Sequence, residues 1–197
     1  MYRQPGENMR VIAGDYKGRP LAAVPGRGTR PTSDKVKESI FNMIGPYFDG
    51  GWALDLYAGT GGLGIEALSR GADKAVFVDA DPKAVSIVKQ NLAALKLEGR
   101  SEIYRIDAAR ALRALAKRQL VFELVFLDPP YAKQQIAQEL QVLQESGLLS
   151  SECRIVAEHD AGVILPERVG DCAVQRIASY GDTAVTIYGY EKNAEVL

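Results

Sequence analysis

Trp52-Ala53-Leu54-Asp55-Leu56-Tyr57-Ala58-Gly59-Thr60-Gly61-Gly62-Leu63-Gly64 is the stretch on which the fold turns. Its first five residues read as a buried strand. The glycines supply a sharp turn, and a helix is expected from about Leu63 to Arg70, closed by Gly71. A strand running through a glycine turn straight into a helix is the opening of a βαβ unit.

The same alternation continues outward. Ala75 to Val78 is expected as the second strand, followed by a helix capped by Asp81 with Pro82 in its first turn. Val85, Val88, Leu92 and Leu95 give that helix its apolar stripe. Ile103 to Ile106, Leu120 to Leu127 and Arg154 to Glu158 read as further strands, with helices over Ala108 to Lys117 and about Lys133 to Glu145 between them. The tail changes character. Ala173 to Ser179 and Ala184 to Tyr190, joined at Gly181-Asp182, predict an antiparallel hairpin. The chain is therefore expected to be α/β, with a mostly parallel sheet covered on both faces.

Ligands of such sheets bind at the carboxyl ends of the strands. Gly59 to Gly64, Asp79, Asp107 and Asp128 to Tyr131 all fall at those ends. Gly59, Gly61 and Gly64 form G-x-G-x-x-G, a spacing shared with nicotinamide-dependent dehydrogenases. Asp79, 20 positions beyond Gly59, suits ribose hydroxyls. Two details favour S-adenosylmethionine over a dinucleotide. Asp55, just below the turn, would repel a pyrophosphate but suits an amino-acid ammonium. Asp107 can accept from an adenine amino group, and it can equally cap the helix that follows. Tyr57, Ala58, Thr60, Ala80 and Ala108 flank these positions and complete the candidate cofactor site.

Asp128-Pro129-Pro130-Tyr131 ends the fourth strand. Proline stiffens the corner and drives the preceding residue toward extended geometry. The Asp128 carboxylate and the Pro129 carbonyl can then be held as two acceptors beside the flat face of Tyr131. That set suits a planar group with an N–H₂ at its edge, such as a nucleobase.

The 197 residues suit one domain with a modest extension, and 47% apolar residues allow a sizeable core. No stretch approaches a membrane span, and no apolar leader opens the chain, so a cytoplasmic location is expected. Cys153 and Cys172 are expected as buried free thiols. With His159 the sole histidine, no metal site and no Ser-His chemistry are expected. Charge is uneven. Residues 1–38 carry eight basic and four acidic side chains, a net +4 in a chain of net −1. A basic arm that meets a polyanion follows. Within it, residues 9–13 and 20–24 predict a small hairpin. Thr32, Ser33 or Asp34 can cap a helix that carries Val36, Ile40 and Ile44 on one face and stops at Gly45-Pro46.

The glycine turn and Asp-Pro-Pro-Tyr together resemble class I methyltransferases that act on an amino nitrogen. Arg10-Val11-Ile12-Ala13-Gly14, Lys17-Gly18-Arg19, and the run from Arg30-Pro31-Thr32-Ser33-Asp34 to Asn42 extend the likeness. They resemble the N-terminal signature of the bacterial small-subunit ribosomal RNA guanine-N2 methyltransferases, and the similarity covers about Met9 to Glu191. Where that family often has Glu at the end of the second strand, this chain has Asp79. The resemblance implies a Rossmann-like, seven-stranded sheet and S-adenosylmethionine as cofactor. It implies Asp128, Pro129, Pro130 and Tyr131 as the catalytic set, and one guanine of 16S rRNA, in a small subunit or late assembly particle, as substrate. It also implies a monomer with residues 1–45 as an RNA-recognition extension and residues 46–197 as the methyltransferase domain. Arg19, Arg27, Arg30, Thr32, Lys35 and Lys37 are its candidate RNA contacts. The residues alone do not separate guanine N2 from adenine N6 of DNA.

Overall fold

The computed structural model describes residues 9–25, 32–130 and 134–192. Among the described residues, eight strands make one sheet: β1 (Trp52–Asp55), β2 (Lys74–Asp79), β3 (Ser101–Arg105), β4 (Phe122–Leu127), β5 (Leu149–Asp160), β6 (Arg168–Val169), β7 (Cys172–Tyr180) and β8 (Thr183–Tyr190). Their spatial order is β3-β2-β1-β4-β5-β8-β7-β6. The β1–β2, β2–β3, β1–β4 and β4–β5 pairs are parallel, and β5–β8, β7–β8 and β6–β7 are antiparallel. The expected sheet is thus present, with the two-residue β6 as an eighth strand beyond the expected seven. Strand order reverses between β1 and β4, which opens a crevice above their carboxyl ends.

Among the described residues, five α-helices cover the sheet: α1 (Asp34–Ile44), α2 (Gly62–Ser69), α3 (Pro82–Leu95), α4 (Ala108–Lys117) and α5 (Ile136–Glu145). Alternation along each strand sorts the core into two layers. Ala53, Phe77, Phe126 and Val156 face α1, α2 and α3. Leu54, Val76, Val125, Leu127 and Ala157 face α4 and α5. Caps fix where helices begin. Ser33 accepts from the Val36 N–H, Asp81 from Lys83, and Asp107 from Arg110. Cys153 and Cys172 are buried and unbridged, as expected. His159 is buried and bonded to Thr186 and to the Asp160 carbonyl, so it is a core residue.

The N-terminal segment forms a single antiparallel bridge, Arg10 to Pro20, rather than the expected two-strand hairpin. The bridge is flanked by the Val11 N–H on the Arg19 carbonyl and the Leu21 N–H on the Met9 carbonyl, and the pairing goes no further. The N–H groups of Ile12 and Ala13 go instead to the Glu66 carboxylate of α2, each at 3.0 Å. Asn91 of α3 holds Ala22 by both its backbone groups and also donates to the Thr60 carbonyl in the glycine turn. Val11, Leu21, Ile40 and Phe41 join the first core layer, so the extension shares the core of the sheet. Among the described residues, no helix is long and apolar enough to cross a membrane.

Candidate active site

Parity brings four acids together. Asp79, Asp55, Asp128 and Glu158 belong to or directly follow the adjacent strands β2, β1, β4 and β5. Each lies two positions beyond a residue of the first core layer, namely Phe77, Ala53, Phe126 and Val156. All four therefore point to one face of the sheet. Register sets their depth. Asp55 pairs with Phe77 and with Phe126, so it sits two residues below Asp79 and Asp128. Leu127 pairs with Ala157, so Glu158 stands level with Asp128.

Asp55 forms the floor and is only 2% exposed. One of its oxygens accepts the Gly64 N–H at 3.0 Å. The other has no hydrogen-bond partner among the described residues. Burial pushes its carboxyl up to about 7, against the pull of the Gly64 bond. Asp79 braces the turn: its oxygens accept from Gly59 and Asp81 N–H groups, both at 2.9 Å. Burial, then the charges of Glu158 and Asp55, hold the Asp128 carboxyl well above the usual range. Among the described residues it too lacks a hydrogen-bond partner.

Most sequence candidates meet in one cleft. Asp55, residues 57–60, Asp79 and Ala80, Asp107 and Ala108, and residues 128–130 all line it. Gly61 and Gly64 do not line it. Gly61, at φ +80°, caps α2. Gly64 lets α2 lie against β2, since a Cβ there would meet the Phe77 ring at 2.4 Å. Tyr57 donates its hydroxyl to Glu139 of α5. The Asp107 carboxylate is engaged as the α4 cap and faces Arg110, so its capping reading holds. Tyr131 lies outside the described residues.

The basic arm divides. Arg27 and Arg30 lie outside the described residues. Lys35 is exposed at the cleft, and Thr32 lines the cleft while donating to Glu158 at 3.1 Å. Arg19 is exposed and donates to the Ala94 carbonyl at the end of α3. Lys37 is a correction. It is 3% exposed, lies 3.4 Å from Glu66, and donates to the Arg10 carbonyl at 2.6 Å, so it is not free to meet phosphate. Its helical position explains this: with Ile40, Phe41 and Ile44 it belongs to the buried side of α1. Glu158 was missed. Its strand parity with Val156 and its place level with Asp128 are the signals that could have found it.

A sequence profile described as Conserved hypothetical protein 95 matches residues 9–189. The chain belongs to this family. Within it, the chain is 58% identical to "Putative rRNA methyltransferase YlbH" of Bacillus subtilis (strain 168), over 91% of this chain and 98% of the relative. It is 32% identical to "Ribosomal RNA small subunit methyltransferase D" of Escherichia coli (strain K12), over 95% and 92%. The solved Escherichia coli structure described as "Putative methyltransferase yhhF" superposes with a TM-score of 0.78 at 32% identity, covering 93% and 98%. The resemblance of the N-terminal signature to that of the small-subunit ribosomal RNA methyltransferases is thus borne out at family level, and the Rossmann-like methyltransferase fold with it.

Proposed function

We propose that this chain is an S-adenosylmethionine-dependent ribosomal RNA methyltransferase that modifies the exocyclic N2 of one guanine in 16S rRNA, within a small subunit or late assembly particle. One observation carries the reading: the Asp128-Pro129-Pro130 corner lines the same cleft as the glycine turn, on the face that holds Asp55. The names of the relatives support the substrate class.

The residues fit the cofactor. The Asp55 oxygen without a described partner, on a side chain that lines the cleft, suits an ammonium. A Cβ at Gly59 would meet nothing within 4 Å, so the turn leaves open space above Asp79 for ribose. Asp107 and Ala108 border the place for adenine. S-adenosylmethionine supplies an electrophilic methyl on a sulfonium, whose positive charge favours the ionised forms of the nearby acids.

The chain's own part is positioning. The guanine amine is a weak nucleophile because its lone pair is delocalised into the ring. Asp128 and the Pro129 carbonyl accept its two hydrogens and favour a tetrahedral nitrogen whose lone pair faces the methyl. Tyr131 stacks on the base. A stacked base cannot reach this corner, so the nucleotide is splayed out. Alignment of this kind supplies up to roughly 7–11 kcal/mol. Lys35, Arg19 and the basic arm hold phosphates.

The test is to map methylated nucleotides of 16S rRNA from cells with and without the protein, then to restore the mark with purified protein and S-adenosylmethionine. Loss and restoration at one guanine N2 is the expected result. An unchanged 16S methylation map would overturn the reading.

A further inference from the structure

Resting on the guanine-N2 reading, we propose that Glu158 is the specificity-determining residue of this site: it accepts the ring N1–H of the target guanine while Asp128 takes a hydrogen of the neighbouring N2 amine.

The geometry follows from the sheet. Leu127 and Ala157 are register partners on parallel strands, so the next residues, Asp128 and Glu158, stand side by side. Neighbouring strands are about 4.8 Å apart. Two acids so placed offer two acceptors on neighbouring strands, both within side-chain reach of adjacent groups on one base edge. Both line the cleft, together with Pro129 and Thr32. The Thr32 hydroxyl donates to one Glu158 oxygen at 3.1 Å and holds the side chain in place. The other oxygen has no described partner. Each acid is pushed upward by burial, and Asp128 further by the charge of Glu158, so both gain by receiving hydrogen-bond donors.

The chemistry of the bases decides what this pair accepts. Guanine presents N1–H and N2–H₂ next to one another, two donors in a row. Adenine presents its N6 amine next to an N1 lone pair, an acceptor that would face a second acceptor. One acid beside an amine reads only "amine". Two acids side by side read "amine next to ring N–H". Sites built to hydrogen-bond a group reject analogues that leave the partner unpaired. Glu158 thereby supplies the discrimination that Asp-Pro-Pro-Tyr alone lacks.

The experiment compares methyl transfer to small-subunit particles whose mapped target position carries guanine or 2-aminopurine. The analogue keeps the N2 amine but turns N1 into an acceptor. Wild-type protein is expected to lose about tenfold to a hundredfold in kcat/KM on the analogue. Glu158→Ala is expected to slow on guanine by a similar factor and to treat the two particles within about threefold of each other, with S-adenosylmethionine affinity by calorimetry unchanged. Equal wild-type rates on both particles would overturn the proposal, and this arm needs no variant to fold. Full discrimination retained by Glu158→Ala would overturn it as well. In both of those outcomes the methyl is still found on guanine N2, so the functional reading stands. A methyl found on adenine N6 instead overturns that reading and this proposal together.

Discussion

The Asp55 carboxylate accepts the Gly64 backbone N–H at 3.0 Å, joining the end of β1 to the first turn of α2 directly beneath the glycine turn. Its ionisation lies at about 7, raised chiefly by burial. An ammonium binds the ionised form, so cofactor affinity is expected to fall about fivefold between pH 7.5 and pH 6, a range in which the ligand's own amine stays mostly protonated. Calorimetry with S-adenosylmethionine at the two values checks this. The sign for stability is opposite. The folded state holds its proton more tightly than the unfolded chain, so the cofactor-free protein loses stability as pH rises from about 4 to 7. Asp55→Asn is expected to bind cofactor poorly, yet to melt higher than wild type at pH 8.

Asp128→Ala is expected to lower the methyl-transfer rate by about 10²–10³, the loss typical of one positioned polar group. Cofactor affinity is expected to hold, because the acids proposed for the cofactor, Asp55 and Asp79, end β1 and β2, whereas Asp128 follows β4. Single-turnover rates read beside calorimetry separate the two effects. Near-normal turnover would remove Asp128 from the chemistry.

Gly64→Ala places a methyl 2.4 Å from the Phe77 ring, a fully buried side chain with no room to turn aside. Overpacking of this kind costs about 1–3 kcal/mol. In a chain of this size, thermal melting is expected to fall by several degrees. Gly59→Ala meets no neighbour, although its φ of +56° strains any side chain. Its larger effect is expected on cofactor affinity.

Glu66 collects the N–H groups of Ile12 and Ala13, the Arg70 guanidinium at 2.8 Å and the Lys37 ammonium at 3.4 Å, all with no solvent exposure of its own. Removing one partner of a buried ion cluster costs about 3–5 kcal/mol. Glu66→Gln is expected to expose residues 9–25 to limited proteolysis before the sheet itself yields. Cleavage kinetics with mass mapping report it.

Lys35 and Lys37 stand two positions apart and are expected to answer mutation in opposite ways. Lys35→Ala removes an exposed charge at the cleft, so the salt dependence of RNA binding should flatten by about one unit with the melting temperature unchanged. Lys37→Ala removes a buried partner of Glu66, so melting should fall with the salt slope intact. Binding titrations across salt concentrations, paired with melts, distinguish them.

Local patterns carried most of the architecture. Apolar runs marked five strands of the parallel core and its turn into a hairpin. The glycine turn and the caps at Asp81 and Asp107 marked helix starts to within a residue or two, because caps and turns are short-range chemistry. The corner at Asp128-Pro129-Pro130 was legible for the same reason. Less was legible where partners are distant in sequence. The Ile12 and Ala13 N–H groups suggested a strand, yet their acceptor is Glu66, more than fifty residues away. Lys37 read as one more charge of a basic arm, and only the packing of α1 against α2 makes it an internal cation.

By itself, then, the order of residues determined an alternating α/β chain with a glycine turn and an acidic proline corner at strand ends, since periodicity and turn chemistry are written within a few neighbouring positions. Tertiary structure decided which acids share a space. Strand register set Glu158 level with Asp128 and sank Asp55 beneath both. Depth and adjacency across a sheet come from how strands align, and the spacing of residues along one chain does not encode that alignment.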